Sequence, residues 1–234
     1  MTKSSNPNVV TTRVVALAGA TGLVGRTILE GLLADESVTA VHTLGRRVPN
    51  VEHPKLTPHV VDFEALPPLP PLDEVYLALG TTIKAAGSQA AFRAVDFEAN
   101  LSVARAALAA GARRAGLVSA MGADAKSRIF YNRVKGELEE TLSQLPLEGL
   151  VVARPSLLLG DREALGQPSR AAERVATAVS KLMGPLIPAN YRPISAADVA
   201  RALLKRVPAA RGRVVLPSGE MQIPVVGRRN CGGR

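Results

Sequence analysis

The sequence predicts an α/β fold built on a doubly wound parallel sheet, and three observations carry that expectation. Short apolar runs recur near residues 13–19, 38–44, 57–62, 74–80, 115–119 and 148–154. Amphipathic stretches of helical period lie between several of them. Where the first apolar run meets the first amphipathic stretch stands a glycine-rich segment, GATGLVG, from Gly19 to Gly25.

Each element follows from local chemistry. The run Arg13–Ala18 is short and apolar, as suits a strand covered by helices on both faces. The first helix is expected over Leu23–Ala34. A second is expected over Ala90–Ala110, ending at Gly111, and a third over Arg128–Leu145, ending before Pro146. Between the third and fourth strands the segment LPPLPPL, Leu66–Leu72, holds four prolines, so that crossover is an extended connector rather than a helix. After the sixth strand come RPSLLLGDRE, a helix over Ser169–Met183, the loop GPLIPANYRPIS and a helix opening at Ser195–Asp198. Residues 156–194 are the expected substrate lobe of one domain spanning 13–222, flanked by a disordered segment at 1–12 and a flexible tail at 223–234.

Composition narrows the function classes. The hydrophobic fraction of 47% suits a globular chain, and no apolar run approaches the length needed to span a bilayer. The first residues lack the apolar stretch of a secretory signal, which makes the cytoplasm the expected location. With a single cysteine, Cys231, no internal disulfide is expected. The net charge of +9 is scattered and only 3% of residues are aromatic, which argues against a nucleic-acid partner. No metal site is expected, because His42, His53 and His59 lack ligand spacing. A homodimer through residues 90–110 and 128–145 stays open beside internal packing of the same helices.

The glycine segment points to a dinucleotide. Gly19 permits a tight turn, Gly22 lets the backbone approach a pyrophosphate, and Gly25 lets helix pack on strand. The free N–H groups at the helix start, with Thr21, Leu23 and Val24 around them, complete an anion site. At the end of the second strand LGRR sets Arg46 and Arg47 where the adenosine ribose is met, with no carboxylate to bind a 2′-hydroxyl. Guanidinium groups match a 2′-phosphate, so NADP(H) is the expected cofactor. Asp62, after the third strand, fits either a hydrogen bond to the adenine amino group or a turn cap.

The catalytic candidates lie further along. In YNRVK the spacing of four puts Tyr131 and Lys135 on one helix face. An ammonium beside a phenol stabilises the phenolate, which suits Tyr131 to exchange a proton with a carbonyl oxygen. Ser119, at the end of the fifth strand, fits either polarisation of that carbonyl or a cap. Asn100 fits a role in holding a water beside Lys135, or simple exposure on its helix.

With these residues in view the chain resembles the short-chain dehydrogenase/reductases of the atypical or extended kind over nearly its whole length. The ordered series LGRR, ALGTTIKAAGSQAAF, VSAMGAD, YNRVKGELE and RPSLLLGDRE resembles the branch that includes Tat-interacting-protein-like reductases. The resemblance implies an NADP(H)-binding Rossmann fold, Tyr131 as acid/base, Lys135 on the nicotinamide ribose and Ser119 completing a triad. It further implies that Leu79, Gly80 and Thr81 line the cofactor and that Arg154, Pro155 and Ser156 border the nicotinamide. One departure is SAM at Ser119–Met121, where many relatives carry a second serine. The expected activity is hydride transfer between NADP(H) and a small carbonyl or alcohol. A cofactor-sensing protein is the second reading, and a nucleotide-sugar epimerase or dehydratase ranks last because few residues follow Arg154.

Overall fold

A computed structural model describes residues 12–159 and 188–222. Strands β1 (Arg13–Ala18), β2 (Val38–Gly45), β3 (Leu56–Val60), β4 (Glu74–Leu77), β5 (Arg114–Val118), β6 (Gly149–Arg154) and a later strand form one sheet. Among the described residues every pairing in it is parallel, and the order is β3-β2-β1-β4-β5-β6 followed by that last strand. The chain turns back between β1 and β4, so the crevice beyond their carboxyl ends is the topological switch point where such sheets take ligands.

Two apolar clusters lie on the two faces of the sheet. On one face α1 (Leu23–Ala34) buries Val24, Ile28, Leu29 and Leu32 beside Val199, Ala200 and Leu203 of a late helix. On the other the helical segment Gln89–Ala109 and a helix from Phe130 to Ser143 bury Phe92, Val103, Ala107, Val134, Leu138 and Leu142. The four prolines do exclude a crossover helix: Leu66 and Leu69 pack on this second face from an extended segment. Edge strand β3 carries Pro58, with Thr57, Pro58 and Val60 exposed.

Several boundaries differ from expectation. The short helix α2 (Ile83–Ala86) and α3 (Gln89–Arg93) precede a π-helical turn at Ala94–Ala99, after which α4 (Asn100–Ala109) continues. Helix α5 begins at Phe130 rather than Arg128. A small parallel pair joins β7 (Leu158–Leu159) to β8 (Ile194–Ser195). Ser195 then caps α6 (Ala196–Arg206), its hydroxyl accepting from the Asp198 N–H at 3.1 Å. The seventh strand of the main sheet, β9 (Gly212–Pro217), was not expected from the sequence; it pairs with β6, and α7 (Ser218–Met221) follows. The expected helix over Ser169–Met183 and the two terminal segments lie outside the described residues.

Candidate active site

The glycine turn takes the shape its chemistry requires. Gly19 has φ +86° and its missing Cβ would stand 2.5 Å from the Ala78 carbonyl oxygen, while a Cβ on Gly25 would stand 2.0 Å from the Gly19 oxygen. Both positions therefore exclude a side chain. A Cβ on Gly22 would meet little protein, its nearest neighbour being the Gly19 oxygen at 3.3 Å, and Gly22 precedes α1 without any side-chain cap. The uncapped N–H groups of the first turn, at Leu23 and Val24 beside Thr21, fit a pyrophosphate.

On α5, Lys135 is buried beneath the exit of β4. Its Nζ lies 2.7 Å from Asp96 Oδ1, and the two side chains are 5% and 1% exposed. The other oxygen, Asp96 Oδ2, accepts from the Thr81 N–H at 2.8 Å. Burial alone would push the Lys135 ammonium down, but the charge of Asp96, with Tyr131 and Glu139 adding, holds it above its ordinary value. Tyr131 shares this helix face one turn earlier, half-buried against the Phe92 ring at 5.5 Å between centroids. Asn100 is fully buried rather than exposed on its helix, and its Nδ2 donates to the carbonyls of Leu79, Val95 and Asp96 at 3.1–3.3 Å. The residue that meets the lysine is Asp96, one turn earlier.

A second buried charge lies one turn further along α5. Glu139 accepts from Arg154 Nη2 at 2.6 Å, from Arg213 Nη2 at 2.9 Å and from the Ser119 hydroxyl at 2.5 Å. Ser119 is thus committed to Glu139, and the Arg154 guanidinium, held charged chiefly by the same carboxylate, is committed with it. The carbonyl of Pro155 accepts from Met121 N at 2.8 Å, and the Ser156 hydroxyl donates to the Arg192 carbonyl. These four expected site residues are gathered at the ends of β5 and β6, but their polar groups bond to protein.

The relatives decide the family. A protein named fmp52, mitochondrial, of Emericella nidulans is 40% identical over 180 residues, covering 73% of this chain and 76% of that one. The chain belongs to the Fmp52 family. A Candida albicans member, also named as mitochondrial, is 32% identical over 197 residues, covering 80% of this chain and 85% of its own. No family model matches. The fold is shared with an oxidoreductase of the short-chain dehydrogenase/reductase family from Burkholderia thailandensis, at TM-score 0.64, 20% identity and coverage of 90% and 93%. It is shared also with MoeE5 solved with UDP-glucose and NAD, at TM-score 0.63, 18% identity and coverage of 86% and 74%. The expected cytoplasmic location is corrected by the Fmp52 relatives, whose names place them in the mitochondrion.

In this Fmp52-family chain the remaining expected residues follow the ends of β2, β3 and β4. Arg46 and Arg47 are exposed at the end of β2. A cavity of about 360 Å³ is bounded by Thr21, Arg26, Glu30 and Arg47, with Val48 and Val51 exposed on its rim. Asp62 caps the turn after β3, its Oδ1 accepting from the Glu64 N–H at 3.0 Å. Leu79, Gly80 and Thr81 leave β4 directly over Lys135: a Cβ on Gly80 would lie 3.6 Å from Asp96 Oδ1 and 3.9 Å from Lys135 Nζ. Sequence reading missed Asp96 and Glu139. Their signal was a polar residue inside an apolar helix stripe, Asp96 and Asn100 after Phe92 on one helix and Glu139 after Lys135 on the other.

Proposed function

We propose that this protein is an oxidoreductase of the short-chain dehydrogenase/reductase type that uses NADP(H) to reduce a small carbonyl compound. The observation that carries the proposal is the buried Lys135 ammonium, kept charged by Asp96, on the α5 face it shares with Tyr131 and directly under the β4 exit. When bound, the reduced nicotinamide supplies the hydride. The Tyr131 phenol donates its proton to the carbonyl oxygen, so that carbonyl, hydride and proton together make the alcohol. The Lys135 ammonium stabilises the phenolate left behind and donates to ribose hydroxyls. Arg46 and Arg47 select the 2′-phosphate, and the uncapped turn at Gly22–Val24 holds the pyrophosphate. The resemblance of the motif series to the Tat-interacting-protein-like branch supports the same reading.

One observation favours a second reading, a protein that binds the dinucleotide and signals through partners: the Ser119 hydroxyl bonds to Glu139 and is not free for a substrate carbonyl. Titration into NADPH and NADH, followed by nicotinamide fluorescence in this tryptophan-free chain, tests both readings. Micromolar NADPH affinity with weaker NADH is expected, then NADPH consumption with members of a carbonyl panel. Binding without any turnover favours the sensor, and binding of neither nucleotide overturns both.

A further inference from the structure

We propose that Asp96 is a positioning residue that couples the β4 exit loop to Lys135, so that one carboxylate sets both the backbone on which the nicotinamide half of the cofactor rests and the ammonium beneath it. The inference rests on the dinucleotide reading above and adds a residue to it.

The two oxygens of Asp96 divide the work: Oδ1 meets Lys135 Nζ at 2.7 Å and Oδ2 accepts from Thr81 N at 2.8 Å. The carboxylate is buried to 1% exposure, so its ion pair is shielded from the solvent that weakens surface pairs. It stands in the π-helical turn Ala94–Ala99, a rare geometry that recurs at functional sites. Asn100 compensates that turn. Its amide N–H₂ takes the Val95 and Asp96 carbonyls and reaches across to the Leu79 carbonyl, tying the helix to the same loop a second time. Asn100 Oδ1 is buried with no hydrogen-bond partner, an acceptor left over in the cluster for a donor that the protein does not supply. Above the pair lies Gly80, exposed and without a side chain, so that whatever rests on the loop is separated from Lys135 by one peptide.

The chemical consequence concerns the charge on the lysine. Burial favours the neutral amine, and the charge of Asp96 reverses that preference. A neutral amine at Lys135 would neither steady a phenolate at Tyr131 nor donate three hydrogen bonds.

The test is Asp96→Asn, which keeps the shape and an oxygen for the Thr81 N–H but removes the charge. In ¹⁵N-lysine-labelled protein the ammonium signal of Lys135, assigned by its loss in Lys135→Arg, is expected to titrate above the ordinary lysine value in the wild type and at lower pH in Asp96→Asn. NADPH affinity is expected to fall at least tenfold, while 2′,5′-ADP, which lacks the nicotinamide ribose, binds as before. An unchanged ammonium titration overturns the proposal, as does equal weakening of NADPH and 2′,5′-ADP. If Asp96→Asn does not fold, the wild type decides: NADPH but not 2′,5′-ADP should shift the Lys135 signal, and no shift with NADPH overturns the coupling. Failure of the wild type to bind either NADPH or NADH would instead remove the reading on which the proposal stands.

Discussion

Helix α5 carries two buried charges one turn apart, and what each is tied to divides the side we propose as catalytic from the scaffold. Lys135 is held by Asp96 from the π-turn and lies under the β4 loop. Glu139 is held by Arg154 of β6, Arg213 of β9 and Ser119 after β5, so it fastens the helix to the sheet. The first pair lies under the exposed Gly80 backbone, and the second ties the helix to β6 and β9 beside a cavity that Glu139, Arg154 and Arg213 line. Residue type alone does not sort them. The serine placed among the catalytic candidates by its strand-end position bonds to the buried Glu139, and the aspartate paired with Lys135 is one that sequence reading missed.

The largest expected effect breaks the scaffold half. Glu139→Ala leaves Arg154 and Arg213 without their shared partner, and because both guanidinium groups are partly exposed we expect the lower end of the range for a broken buried pair, about 3 kcal/mol. Thermal unfolding should show it, at roughly 2–4 °C for each kcal/mol in a chain of this length. An unchanged melting temperature would dissolve the contrast between the two halves.

Next comes the chemical half. Tyr131→Phe should lower turnover about 10²-fold or more while melting temperature and NADPH affinity stay near those of the wild type. Intact turnover would remove Tyr131 as the proton donor. Ser119→Ala sharpens the division: loss of its bond to the Glu139 carboxylate should cost about 1.5–3 kcal/mol of stability, with turnover changed only severalfold. A loss as large as that of Tyr131→Phe would mean that the hydroxyl leaves Glu139 to serve the substrate.

The cofactor side of the comparison extends to β2. Arg47→Ala should narrow the preference for NADPH over NADH about tenfold, read from the two affinities, since a charge-assisted bond to a phosphate is at stake. Equal loss for both nucleotides would assign Arg47 to general attraction. The smallest effect lies at the sheet edge. His42 Nδ1 stands 3.1 Å from His59 Nε2, and burial, with His59 adding, holds His42 below its ordinary value. The unfolded chain then binds this proton more readily than the folded one, so the contribution to stability is full above about pH 6.5 and is lost as pH falls below it. His42→Gln should flatten that slope between pH 7.5 and 5.5; an unaltered slope would place its origin elsewhere.

Much of this arrangement was legible in the residues. The glycine turn, the six strands from Arg13 to Arg154 and the Tyr131/Lys135 face follow from period and spacing, because those signals are local. The proline run told correctly of a missing crossover helix. Strand β9 was hidden because Gly212–Pro217 is half exposed and begins among arginines, so it lacks the apolar run of an inner strand. Asp96 was hidden because its partners, Thr81 and Lys135, lie 15 and 39 positions away and only the fold unites them. Glu139 was hidden likewise, its arginines coming from two separate strands.

Pro58 has a bearing on how copies of this chain avoid one another. Val41 N donates to the Lys55 oxygen and Val61 N to the Gly45 oxygen, so the odd-numbered residues of the β3 ladder face β2 and the even-numbered ones, Pro58 among them, turn outward. Mid-strand, the rim of the sheet therefore offers a ring where a second strand would look for a donor. A sheet rich in valine and leucine is a template for polymerisation during synthesis, when chains are crowded and partly folded, and one imino acid at its border denies that template the continuity it needs.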